Sequence, residues 1–98
     1  MRRFFAVVRS QGHWDRTRPL EQQDGWAAHA QFMDGLQEEG FIALGGPLQG
    51  TEDVLLIVRA DNAAEITARL AEDCWSKSGQ LRISRIAPWE LRLGSLAC

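Results

Sequence analysis

Ninety-eight residues is the length of one domain, with 45% hydrophobic and 24% charged side chains, which are ordinary values for a globular chain. Eleven basic against thirteen acidic residues give a net charge of −2, and the only adjacent basic pair is Arg2-Arg3. A nucleic-acid footprint needs a clustered positive face, and a membrane helix needs about 20 consecutive apolar residues; neither pattern occurs, so nucleic-acid and membrane partners are not expected.

Phe4 to Val8 is a short aromatic and β-branched run and predicts a first strand. It is too short for the apolar core of a secretory signal. Gln11 to Pro19 carries Gly12, Asp15 and Pro19 and reads as a loop. A helix is expected to start between Leu20 and Trp26 and to stop at Gly40, with Trp26, Ala30, Met33 and Leu36 on one stripe and Gly40 as the residue just past its end. Phe41 to Leu44 predicts a second strand broken by Gly45-Gly46-Pro47, and Thr51 to Asp53 predicts a turn. Val54 to Val58 is apolar at every position, as a strand buried on both faces would be. Asp61-Asn62 offers a cap for a helix over Ala63–Glu72, and Leu81 to Ile86 predicts a fourth strand before Pro88-Trp89.

The order β-α-β-β-α-β, with right-handed crossovers, puts both helices on one face of a four-stranded antiparallel sheet. The expectation is a single α+β domain of ferredoxin-like architecture over residues 1–98. Two helices cover only one face of a sheet whose third strand is apolar on both. A second copy is the simplest cover, so a homodimer packed sheet to sheet is expected. The rival is a monomer whose own loop and tail cover that face. Cys74 and Cys98 have no metal or redox spacing, which fits reduced thiols and a cytoplasmic setting.

His29 lies three residues after Trp26 and four before Met33, which places it inside the apolar stripe of its helix. An imidazole there needs a hydrogen-bond partner, and Asp73, seven residues after Ile66, falls at the edge of the second helix's inner face. At a helix C-terminus the dipole disfavours a carboxylate by roughly 0.3–1 kcal/mol, so a compensating cation is expected beside Asp73. An imidazole oriented by a carboxylate is the kit of a general base. The plainer readings are a core histidine bonded to a backbone carbonyl and an exposed helix-end aspartate. Gly46 and Pro47 interrupt a strand and are candidate ligand contacts, or simply a tight turn. Arg85 shares a face with Leu81 and Ile83 under strict alternation and is a candidate for a ligand carboxylate, unless a bulge near Ile86 turns it to solvent. Trp14 and Trp75 are candidate pocket walls, whereas Trp26 and Trp89 read as core or interface. No metal site, cofactor motif or nucleophile triad is present in the pattern.

Three segments together resemble the YCII-related family of the dimeric α+β barrel superfamily. They are Trp26 to Met33, Gly40 through Gly45-Gly46-Pro47-Leu48, and Glu72-Asp73-Cys74-Trp75 leading to Pro88-Trp89. The resemblance covers about Phe4 to Gly94 and implies a dimeric ferredoxin-like fold with a pocket built on a His–Asp pair, carried here by His29 and Asp73. Where the family has proline after the aspartate, this chain has Cys74, which frees the backbone at that step. The family's association with lyase and dehalogenase steps on ring-derived acids implies cofactor-free proton transfer on a small carbonyl or carboxylate compound. The alternatives are a small-molecule binding module or a structural dimer without catalysis.

Overall fold

The computed structural model describes residues 2–94; Cys98, read above as a reduced thiol, lies outside them. The elements run β1 (Arg3–Gln11), α1 (Trp26–Glu38), β2 (Ile42–Pro47), β3 (Asp53–Ala60), α2 (Ala63–Leu70), α3 (Cys74–Lys77) and β4 (Leu81–Pro88), with a short 3₁₀ turn at Leu20–Gln22. The sheet order is β2-β3-β1-β4 and every pairing is antiparallel. The architecture is therefore α+β and ferredoxin-like, as the pattern predicts. Among the described residues, no helix is long and apolar enough to cross a membrane.

Alternation decides which side of β1 is core. Phe5, Val7 and Arg9 are buried, and they pack with Leu56 and Val58 of β3 beneath Leu36 of α1 and Ile66 and Leu70 of α2. Both main helices end or begin by side-chain and backbone devices visible in the sequence. The N–H of Phe41 donates to the Leu36 carbonyl at 3.0 Å and that of Gly40 to Gln37 at 3.0 Å, with Gly40 at φ 82°, which closes α1 in a Schellman motif. Asn62 Oδ1 accepts from the Glu65 N–H at 2.9 Å and caps α2.

The structure departs from the sequence reading in three places. β2 is not broken at Gly45 but stays paired with β3 through Pro47, the irregularity being a bulge at Ala43, between Ile42 and Leu44. Asp53 belongs to β3 rather than to the turn. The segment after α2 forms a separate short helix, α3, which changes the surroundings of Asp73.

Candidate active site

The end of β1, the first turn of α1 and the start of α3 converge under the loop that joins β1 to α1. His29, on the inner side of α1, places Nδ1 2.8 Å from Asp73 Oδ2. Asp73 has no exposed surface, and its side chain is fully enclosed between the helices and β1. Its other oxygen, Oδ1, accepts the Trp75 N–H at 3.1 Å, so Asp73 is the N-cap of α3. This corrects the expectation drawn from a helix C-terminus: at an N-terminus the dipole favours the carboxylate.

The compensating cation is nevertheless there, and it is Arg9. Its side chain is buried in phase with Phe5 and Val7, and Nη1 donates to Asp73 Oδ2 at 2.9 Å while Nη2 donates to Ser76 Oγ at 2.7 Å. Ser76 Oγ in turn donates to the Leu70 carbonyl. Sequence reasoning missed Arg9, although strict alternation from Phe5 carried the signal: an arginine on the core side of a strand must meet a buried partner. Burial pushes the Asp73 carboxyl up, but the hydrogen bonds from His29, the Trp75 N–H and Arg9 outweigh it and hold the group below its ordinary value of 3.8. An ionised Asp73 can only accept, so His29 donates to it from Nδ1, and in the neutral ring Nε2 is the nitrogen that carries the lone pair.

The His29 ring stacks on Trp75 with centroids 3.8 Å apart and planes at 11°, and Trp26 lies 6.0 Å away. Trp14 meets Trp75 edge-on at 5.1 Å. Trp75 is itself fixed by its indole N–H, which donates to the Asp24 carbonyl at 2.7 Å. The loop carrying Trp14 is stitched by the buried Gln23, whose side chain bonds the backbone of Asp15 and Arg18.

These groups wall a cavity of about 710 Å³ between α1, the loop and the β2–β3 hairpin. His29, Trp14, Trp75, Gly46 and Pro47 all line it, so the structure brings these candidates together, and Trp26 joins them as a wall rather than as deep core. Gly45 faces Leu56 so closely that a Cβ would come within 2.6 Å of Leu56 Cδ2, whereas a Cβ on Gly46 would meet only open space. Arg85 is not brought to the cavity. Ser84 bulges out of β4, so Ile83 and Ile86 both point at the core and Arg85 pairs with Val8 on the opposite face, where it is exposed. The exposed cation that does line the cavity is Arg18, in the loop. Among the described residues, no group of three His, Cys, Asp or Glu is placed to hold a metal ion.

Cys74, where the resembling family has proline, occupies the first position of α3. That is the position where proline is favoured, because its missing N–H has no helical partner. Asp73 keeps the extended backbone such a proline would impose, at φ −66° and ψ 132°, and the Trp75 N–H bond holds it there without the ring.

No protein-family model matches the chain, and no curated protein matches it. Among solved structures it is similar to the 5-chloro-2-hydroxyhydroquinone dehydrochlorinase of Burkholderia phenoliruptrix AC1100 in complex with 2,5-dihydroxybenzoquinone. The two superpose with a TM-score of 0.61 at 22% identity, over 93% of this chain and 95% of that one. A likeness at this identity establishes the common fold.

Proposed function

We propose that this protein is a homodimeric, cofactor-free enzyme of the YCII-related family, and that His29 transfers protons to and from a small cyclic carbonyl or carboxylate compound. The observation that carries the reading is the 2.8 Å bond from His29 Nδ1 to a buried aspartate, on a ring that lines the cavity. With Nδ1 engaged, Nε2 takes the proton of an acidic C–H or O–H of the substrate. The electron pair left behind moves into the conjugated system and expels a leaving group such as chloride, or takes the proton back from the His29 imidazolium at another carbon, which is an isomerisation. Asp73 stabilises the imidazolium formed meanwhile.

The stacked His29–Trp75 pair and the indoles of Trp14 and Trp26 suit a flat ring, and 710 Å³ is within the roughly 300–1,000 Å³ of small-molecule sites. Developing negative charge falls toward Arg18 and the Gly46-Pro47 edge of β2. The dehydrochlorinase of the same fold, which acts on a chlorinated hydroxyhydroquinone, supports a dehalogenating elimination as the reaction type to test first.

The test is a panel of chlorinated hydroxyhydroquinones and small ring acids, read by chloride release and ultraviolet change. Turnover that falls by about 10²-fold or more in His29→Ala supports the proposal. Undiminished turnover in that variant sinks it. A rise in melting temperature with a panel member and no product would favour a binding module instead.

A further inference from the structure

Arg9 takes no part in the proton transfer just described, yet it is among the most completely buried side chains of the molecule. Its contact with Asp73 is end-on rather than a two-pronged clasp: Nη1 donates to Oδ2, the same oxygen that accepts His29 Nδ1, and Nε is buried with no partner among the described residues. Its second donor, Nη2, goes to Ser76 Oγ, and Asp73 Oδ1 is taken by the Trp75 N–H. The permanent cation Arg9 and the titratable His29 therefore address one carboxylate oxygen.

The charge balance follows from that geometry. Arg9 is always charged, so the enclosed Arg9–Asp73 pair is neutral as it stands. A proton added to His29 would leave one uncompensated positive charge in a water-poor site, whereas beside a lone Asp73 it would complete a neutral pair. The remaining charged groups near His29 are more remote cavity-lining ones: Arg18 from the loop, Asp34 on α1 and Asp53 at the start of β3, whose carboxylate accepts from Ser10. Cys74 beside Asp73 is uncharged, since burial, then the Asp73 charge, pushes its thiol up from its ordinary 9.0.

We propose that Arg9 is a positioning residue whose fixed buried charge, held at the same carboxylate oxygen as His29, keeps His29 unprotonated at rest and so able to accept a proton from substrate. This rests on His29 being the proton acceptor of the site, but its test needs no turnover. Diethyl pyrocarbonate is attacked by the neutral imidazole nitrogen, which gains a carbethoxy group while ethanol and carbon dioxide leave. The rate at each histidine, read by peptide mass spectrometry at pH 5 to 8, therefore reports the neutral fraction, and the exposed His13 is an internal reference.

In Arg9→Met the His29 rate near pH 5.5 is expected to fall roughly tenfold against wild type while His13 is unchanged, the size of effect that a charge a few ångströms away exerts. Because Arg9→Met strands a buried carboxylate, a second comparison sets Arg9→Met/Asp73→Asn against Asp73→Asn, where neither variant of the pair leaves Asp73 charged. The double variant is expected to label His29 more slowly at acid pH than Asp73→Asn does. Equal rates in either comparison overturn the proposal, as does a wild-type His29 that fails to label at pH 7. Loss of a cooperative melt in both Arg9 variants also overturns it, by making Arg9 a residue of the fold alone.

Discussion

Asp73 Oδ2 accepts from Arg9 and His29 while Oδ1 caps α3, so one carboxylate ties three elements together. Because its pKa lies below the ordinary 3.8, its stabilising contribution is fully present above that value and is lost as pH falls through the lower, folded-state value. Asp73→Asn, which leaves Arg9 buried without its counter-charge, is expected to cost about 3–5 kcal/mol at pH 7. The deficit against wild type should narrow below 3.8, where the carboxyl of the unfolded chain protonates, and close as pH falls through the lower, folded-state value. Urea midpoints at pH 7 and pH 3 measure both; a deficit of equal size at the two values would show that charge is not what Asp73 contributes. At this scale the apolar stripe of α1 marked His29, whereas spacing alone left Asp73 an exposed helix-end aspartate and only the family resemblance paired the two; their partner stayed hidden. Arg9 was in plain alternation with Phe5 and Val7, and only the burial of that side of β1 turns the alternation into a site.

Elements place these residues, and here small irregularities matter more than the regular runs. The bulge at Ser84 lets Ile83 and Ile86 both reach the core and sends Arg85 to the other face, so a residue that strict alternation puts near the ligand stands away from it. The hint lay in Ile86, which breaks the phase set by Leu81 and Ile83, but the bulge's position depends on pairing with β1. Helix α3 has only four residues and no periodicity of its own, which is why the sequence read Asp73 as the end of α2 rather than the beginning of something else. Its first position accepts proline on physical grounds, since among the described residues the Cys74 N–H donates to no backbone carbonyl. Cys74→Pro is therefore expected to raise stability by about 0.4–1 kcal/mol by restricting the unfolded chain, with the His29–Asp73 bond intact. A calorimetric melt checks it: a lowered melting temperature would mean that the thiol's contact with the Gly25 carbonyl, at 3.6 Å, matters more than backbone entropy.

The whole molecule has one helix-covered face and one bare one. On the face without helices lie the partly exposed Phe4, Ala6 and Val8 of β1 and Leu55 of β3, the already buried Ile57, and Leu44 of β2, which is 56% exposed. A sheet that is apolar on both sides needs a second cover, and a symmetric copy of the same face is complementary to itself. Sedimentation at micromolar concentration is expected to give twice the 11.0 kDa of one chain, and Leu44→Glu to shift it toward one. A wild-type monomer at those concentrations would leave the chain's own tail, which begins where the Trp89 N–H bonds the Phe4 carbonyl, as the cover instead.

The sequence by itself determined the order of the four strands and the two main helices, the α1 stop at Gly40, an α2 cap within Asp61-Asn62 and hence the ferredoxin-like arrangement, because periodicity and end signals are local properties of the chain. It also put His29 in the apolar stripe of α1, and left Asp73 at the edge of an inner face. Which inward residues meet was decided only by tertiary structure: Arg9 and Asp73 are 64 positions apart, His29 and Asp73 are 44 apart, and Trp75 reaches back to Asp24 across 51. Such contacts depend on strand register, on two bulges and on a four-residue helix, and each of these is fixed by packing against distant parts of the chain rather than by the residues that form it.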